Sequence, residues 1–255
     1  MKLRFLGTGT STGNPEIGCR CEVCTSTDSK DWRFRASVLI ETKGKHLLID
    51  CGPDFRMQML EAFRHNPFFS LDGVLLTHEH YDHVGGLDDL RAFCRTGPVT
   101  LYAEPEVADA IRMRMPYVFK KHKYPGIPNL QIQTIDNQPF SVAGIEVIPI
   151  RLMHGNLPIV GYRIGRMAYL TDLKTIPEEE YTKLQDLDVL VINALRSQEH
   201  ISHETLEDAL RNIERIRPQR AYLTHVSHSF GLHDAIQKTL PENVFIAFDG
   251  LEVYV

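Results

Sequence analysis

The sequence predicts an α/β (α+β) fold in which sheets pack face to face and helices cover their outer sides. Three observations carry this expectation. Short strand-like stretches alternate with helical ones along all 255 residues. Continuous apolar runs, which suit strands buried on both faces, are mixed with runs of period-two alternation. No linker or low-complexity stretch interrupts the order, so residues 1–255 read as one domain long enough to bury a sizeable core.

The elements follow in order. Leu3 to Leu6 form a strand that runs into a Gly-Thr-Gly-Thr turn at 7–10. Ser37 to Glu41 and His46 to Asp50 make a hairpin across residues 42–45. Residues 71–76 (LDGVLL) read as a short buried strand. Asp54 to Phe63, Gly86 to Arg95 and Glu106 to Met113 suit helices. Leu130 to Ile135, Phe140 to Val142, Glu146 to Arg151 and Val160 to Leu170 read as strands, largely antiparallel because their connections are short. A helix near Glu178 to Leu184, a strand Val189 to Asn193 and a helix His203 to Arg215 come next. Strand Tyr222 to Thr224 and a final strand Val244 to Phe248 complete the order.

Composition narrows the class of function. The net charge of −5 and a pI near 6.2 leave no global footprint for nucleic acid beyond small nucleotides. No apolar run reaches the length of a membrane-spanning helix, and the first residues enter a strand-like stretch without a signal-peptide core. Five cysteines, an odd count with three clustered, suit metal ligation in a reducing compartment better than a disulfide framework. The expected location is the cytoplasm.

Residues 77–83 (THEHYDH) place three imidazoles and a carboxylate directly after the strand at 71–76. A strand end delivers such a loop to a sheet rim. His78 and His80 share one side of an extended backbone and can bind one metal. Asp82 and His83 lie past the bend and can point at a second. Twelve histidines in the chain do not explain four ligand-type side chains at this spacing as a solvated loop.

This His-x-His-x-Asp-His run resembles the signature of the metallo-β-lactamase superfamily. The resemblance implies a four-layer αββα sandwich and three further ligands at later strand ends. His154, Asp172 and His225 each follow a strand-like stretch and fill those places. It implies that His78, His80 and His154 hold one divalent ion, Asp82, His83 and His225 a second, and that Asp172 bridges them. Asp82 thereby counts among the catalytic groups.

A second motif lies at Cys19, Cys21 and Cys24, three thiols in six residues suited to tetrahedral zinc. His228 is the best candidate for the fourth ligand, three residues after His225. Cys51 and Cys94 have no such company and read as buried apolar residues. Residues 7–15 (GTGTSTGNP), the Cys-x-Cys-x-x-Cys run and residues 48–54 (LIDCGPD) together resemble the cyclic phosphodiesterases of bacterial phosphonate breakdown, over nearly the whole chain. A pyrroloquinoline-quinone biosynthesis protein shares the cysteine loop but departs at the active-site motif. Ribonuclease Z is a further cousin, yet the chain has no Gly/Pro-rich arm for gripping tRNA.

The resemblance implies hydrolysis of a small cyclic phosphate or nucleotide-like diester by a hydroxide held between two ions, with zinc, manganese or iron all admitted by the mixed N/O ligands. Other outcomes stay open: a thioester, lactam or ribonuclease Z-like hydrolase, or a non-catalytic metalloprotein of cofactor biosynthesis. Asp50 reads equally as a carboxylate orienting a ligand histidine or as a turn residue. His203 is the expected proton donor to the leaving oxygen, with His200 a competing imidazole and Ser202 a helix cap. The basic, aromatic segment 113–128 offers Tyr117, Lys120 and Tyr124 as substrate contacts. The expected partner is a small phosphorylated substrate, without a membrane; a homodimer is allowed.

Overall fold

The computed structural model describes residues 1–65, 70–120, 124 and 126–255. Strands β1 (Lys2–Gly7), β2 (Ser37–Thr42), β3 (Lys45–Ile49), β4 (Gly73–Leu75), β5 (Val99–Ala103) and β6 (Leu130–Thr134) enter a first sheet. Strands β7 (Phe140–Val142), β8 (Ile145–His154), β9 (Leu157–Ile164), β10 (Met167–Leu170), β11 (Val189–Asn193), β12 (Arg220–Thr224) and β13 (Val244–Ile246) build a second, and β14 (Glu252–Tyr254) returns to the edge of the first. The helices are α1 (Phe55–His65), α2 (Tyr81–Val84), α3 (Pro105–Arg114), α4 (Leu206–Ile216) and α5 (His233–Gln237).

Both sheets are mixed. β1, β2 and β3 run antiparallel, whereas β3 to β6 are parallel. β7 to β10 are antiparallel and β10 to β13 parallel. The expectation of largely antiparallel strands therefore holds for β7 to β10 and fails for β6, which pairs with β5, a strand absent from the sequence reading.

The apolar runs are explained by burial on two sides. In β2, Val38 and Ile40 enter the core between the sheets with Leu47, Ile49, Tyr162 and Val191. Leu39, between them, points outward with Leu48 to meet Phe55 and Met59 of α1. Across the molecule, Leu190, Ile192 and Leu223 face Ala209, Ile213 and Ile216 of α4. Three apolar layers thus separate helix, sheet, sheet and helix, which is the αββα sandwich. Truncating any one of these leucines or isoleucines to alanine removes about 2–5 kcal/mol.

Other boundaries differ from the sequence reading. Val160 to Leu170 is two antiparallel strands, because Gly165 at φ 58° reverses the chain. The helix expected from His203 begins at Leu206. Thr205 is its cap, accepting from the Asp208 N–H at 3.1 Å while the Asp208 carboxylate accepts from the Thr205 N–H at 3.0 Å. This reciprocal pair outcompetes Ser202 as a start signal. Leu87–Phe93 and Glu178–Leu184 wind as tight three-residue-per-turn helices. The final strand is β14, not Val244 to Phe248.

Two bonds between the sheets fix the loop that carries the histidine run. The fully buried Tyr162 hydroxyl donates to the Leu76 carbonyl at 2.6 Å, and the Val160 N–H donates to the Thr77 carbonyl at 3.1 Å. At the opposite end of β1 the Met1 ammonium donates to the Val255 carbonyl at 2.9 Å. Among the described residues no helix is long and apolar enough to cross a membrane.

Candidate metal centre

The candidate ligands gather where strands of both sheets end on one rim. His78, His80, Asp82 and His83 follow β4; His154 closes β8; Asp172 and His225 follow β10 and β12. Asp50, Asp172 and His225 adopt φ of 62°, 58° and 55°. Left-handed backbone is costly for residues other than glycine. At all three positions it bends the chain just past a strand, turning Asp172 and His225 into the centre and Asp50 toward the back of His83.

Ligand-type atoms form two tight groups. His78, His80 and His154 make one; Asp82, His83, Asp172 and His225 make the other, with the atoms of each group within 4.8 Å of one another. His78 Nε2 and His80 Nδ1 are 3.0 Å apart. Asp172 lies between the groups. Its Oδ1 is 3.3 Å from His83 Nε2 and 3.2 Å from His225 Nε2, while its Oδ2 is 3.8 Å from His78 Nε2 and 3.4 Å from His203 Nε2.

The partners behind the ligands set which nitrogen faces inward. Asp50, fully buried, accepts from His83 Nδ1 at 2.7 Å and from the Thr77 N–H and hydroxyl, both at 2.9 Å. The Thr77 oxygen in turn accepts from His78 Nδ1 at 3.0 Å, and the Ser202 carbonyl accepts from His154 Nδ1 at 2.9 Å. With Nδ1 engaged in each, Nε2 is presented to the centre, an arrangement that fixes ring orientation in metal sites. Asp50 thus meets one candidate ligand directly and a second through Thr77. Neither Thr77 nor Ser202 carries a sequence signal: one is an ordinary strand-end threonine and the other acts through its backbone.

The donor set fits divalent cations. His83 Nε2 and both ring nitrogens of His225 are buried without a hydrogen-bond partner, a costly state for polar atoms unless something coordinates them. Charge points the same way. Burial alone would lower the His83 imidazolium, but Asp172, Asp82 and Asp50 around it hold it well above its ordinary range. Burial raises the Asp172 carboxyl, yet His225 and His83 draw it well below its ordinary range. Burial keeps His78 and His154 neutral, as imidazole ligands must be. The carboxylates call for positive charge that the surrounding side chains supply only by taking up protons.

Gly52 lets this loop close. A Cβ on Gly52 would fall 2.1 Å from the Asp82 carbonyl oxygen, so no other residue passes there without displacing Asp82.

His203 joins the rim through Asp172 and stacks on His225, with ring centroids 5.1 Å apart. With His154 and Asp172 it forms a third ligand-type group. Its Nδ1 lies 3.0 Å from His200 Nδ1, so both imidazoles are present and His203 is the inner one. Tyr117 donates to Asp88 Oδ1 at 2.7 Å. Lys120 and Tyr124 are exposed, and residues 121–123 and 125 of that segment lie outside the described residues. A cleft of about 690 Å³ lies over β1 and α1 and contains none of the candidate ligands.

Cys19, Cys21, Cys24 and His228 form a separate group. His228 Nδ1 is 3.2 Å from Cys19 Sγ and 3.4 Å from Cys21 Sγ. The Cys24 N–H aimed at Cys21 Sγ leads the effects that bring that thiol down to about 6, whereas burial lifts Cys24 to about 11. Glu16 Oε2 lies 2.9 Å from His228 Nε2 and orients the ring from behind, a contact that nothing in its sequence position announces. Cys51 is buried, as expected; Cys94 is half-buried and points at the Leu90 and Asn129 carbonyls.

The fold and the rim of histidines and aspartates define a class. The Beta-lactamase superfamily domain matches residues 45–226, and the chain belongs to that superfamily. A solved diphosphatase of the PhnP family superposes with a TM-score of 0.92 at 35% identity, covering 100% of this chain and 97% of its own. Among curated proteins, an octanoyltransferase of Porphyromonas gingivalis is 50% identical over 258 residues, covering 100% of this chain and 52% of that protein. The chain therefore spans about half the length of that relative. A coenzyme PQQ synthesis protein B of Methylorubrum extorquens is 33% identical over 231 residues, covering 76% of this chain and 72% of that protein. The chain is thus a metallo-β-lactamase-fold protein with side-chain clusters that could hold metal.

Proposed function

We propose that this chain is a two-metal phosphodiesterase that hydrolyses a small cyclic phosphate or nucleotide-like diester. The observation that carries the reading is Asp172, whose two oxygens reach toward separate groups of ligand atoms. The likeness to a diphosphatase supports it, since diphosphates and diesters share a charged phosphorus centre and an oxygen leaving group. His78, His80 and His154 would hold one ion, Asp82, His83 and His225 the other, and Asp172 both. When bound, the ions would supply an activated water and positive charge for phosphate oxygens. Asp50, Thr77 and the Ser202 carbonyl hold the imidazoles in place. His203, beside Asp172, would hold the proton delivered to the leaving oxygen. Cys19, Cys21, Cys24 and His228 would hold a structural zinc, closed to substrate because four protein ligands fill a tetrahedron. Five free thiols fit a reducing cytoplasm.

A second reading is hydrolysis of an acyl thioester, which the same centre could perform on a carbonyl; the octanoyltransferase relative favours it. Purified, metal-loaded protein assayed on 2′,3′-cyclic nucleotides, dinucleoside diphosphates, acyl thioesters and β-lactams separates the two. Cleavage of a phosphoric ester, abolished in Asp82→Ala and His80→Ala with the fold retained, is expected. Turnover of thioester or lactam alone would sink the phosphodiesterase reading. His203→Ala should slow alkyl diesters roughly a hundredfold while sparing p-nitrophenyl esters, whose leaving oxygen needs little protonation. Equal losses on both would remove the proton-donor role.

A further inference from the structure

A cavity of about 160 Å³ opens beside α2, lined by Tyr81 and Tyr117, by the buried Val84 and Ile111, and by Asp88 and Arg114. Its position ties it to the metal centre. Tyr81 stands between His80 and Asp82, one from each ligand group. Tyr81 is thus the lining residue that adjoins two candidate ligands in the chain, while no candidate ligand itself lines the cavity. Arg114 donates to the Glu79 carbonyl, fastening the end of α3 to the same loop.

Both phenol rings are held in place although the core does not need them. Tyr81 is 63% exposed and Tyr117 40% exposed. The Tyr81 ring lies over Gly85, where a Cβ would fall 2.7 Å from a ring carbon. Tyr117 is anchored by its bond to Asp88, whose other oxygen is held by Arg91 at 2.5 Å. Two fixed, solvent-facing aromatic rings around an apolar hollow make a stacking site. Size decides what stacks there. An engineered apolar cavity of about 150 Å³ takes one benzene, so this hollow, open to solvent on one side, matches one six-membered ring.

We propose that this cavity is the subsite for a flat, single-ring substituent of the substrate, such as a pyrimidine base carried on the phosphate. The assignment rests on the phosphodiesterase reading above and deepens it. Tyr81 and Tyr117 grip the ring.

Metal-loaded wild type, Tyr81→Ala and Tyr117→Ala are assayed on uridine 2′,3′-cyclic phosphate, adenosine 2′,3′-cyclic phosphate and the ring-free ethylene phosphate. Wild type should prefer the uridine ester over the adenosine ester. Each variant should lose roughly tenfold in kcat/KM on the uridine ester and less than about twofold on ethylene phosphate, the difference being the lost stacking. Equal loss on both, or no loss on the uridine ester, overturns the subsite. If no phosphoric ester is cleaved, the phosphodiesterase reading fails, and uridine 5′-monophosphate binding followed by calorimetry judges the cavity separately. Saturable binding weakened in Tyr81→Ala upholds the subsite; absence of binding, or binding unchanged in the variant, overturns it.

Discussion

Asp50 commits its two oxygens to His83 and Thr77, and Thr77 passes the constraint on to His78. One carboxylate therefore orients a ligand in each group without reaching the centre itself. Asp50→Ala should weaken metal binding by roughly 10- to 100-fold while leaving the secondary structure intact; a zinc titration followed by calorimetry measures this, and unchanged affinity would return Asp50 to the role of a turn residue. Away from the centre, His233 is buried with its Nδ1 accepting from Arg33 at 3.1 Å. Burial, with the Arg33 charge added, brings it down to about 4 from an ordinary value of 6.5. Between those values the unfolded chain binds more protons than the folded one, so stability falls as the pH drops from 6.5 toward 4. His233→Asn, which keeps an acceptor but cannot take the proton, should flatten the melting temperature across that window. A slope identical to wild type would show that other groups carry the acid sensitivity.

The loop holding Cys19, Cys21 and Cys24 shows how an element without a core is ordered. Of its apolar residues, Ile17 is 98% exposed and only Val23 and Cys24 are buried, so packing anchors little of the loop and a metal bound there would cross-link it. Cys21→Ser should remove one equivalent of tightly bound metal and lower the melting temperature, as metal analysis and calorimetry would show; unchanged metal content and melting would make the cluster incidental. This knuckle was legible because its three thiols are close in sequence. The His78 to His83 run was legible for the same reason, and the strands around it because burial on two faces writes unbroken apolar runs. What escaped depends on contacts distant in sequence or on the backbone. The pairing of β5 with β6 is parallel and needs a crossover, β14 is three residues long, and Thr205 wins the helix start over Ser202 only because Asp208 answers it. The Ser202 carbonyl and Glu16 carry no pattern at all, since each acts on a histidine remote in sequence.

At the scale of the molecule, the candidate ligands belong to both sheets: four follow β4 in the first, and three close strands of the second. Ions bound there would join two layers otherwise held by side-chain packing and bonds such as Tyr162 to Leu76. A ligand present at a hundred times its Kd stabilises the folded state by about 2.7 kcal/mol, and in a chain of this size each kcal/mol is worth roughly 2–4 °C. Chelation should therefore lower the melting temperature by roughly 5–10 °C, restored by zinc or manganese in a differential scanning experiment; a melting curve indifferent to chelator would mean that the clustered side chains hold no ion. The hydrogen bond from Met1 to Val255 has a consequence of another kind. β1 leads from that bond toward Thr10, whose N–H meets the Val226 carbonyl next to His225, so the two chain ends sit together about 20 Å from the rim, the span of six extended residues. A second folded body tethered at either end would hang away from the mouth of the centre and leave it open to small molecules. The matching region fills 52% of the Porphyromonas gingivalis octanoyltransferase, so a stretch resembling this chain does occur within a longer polypeptide.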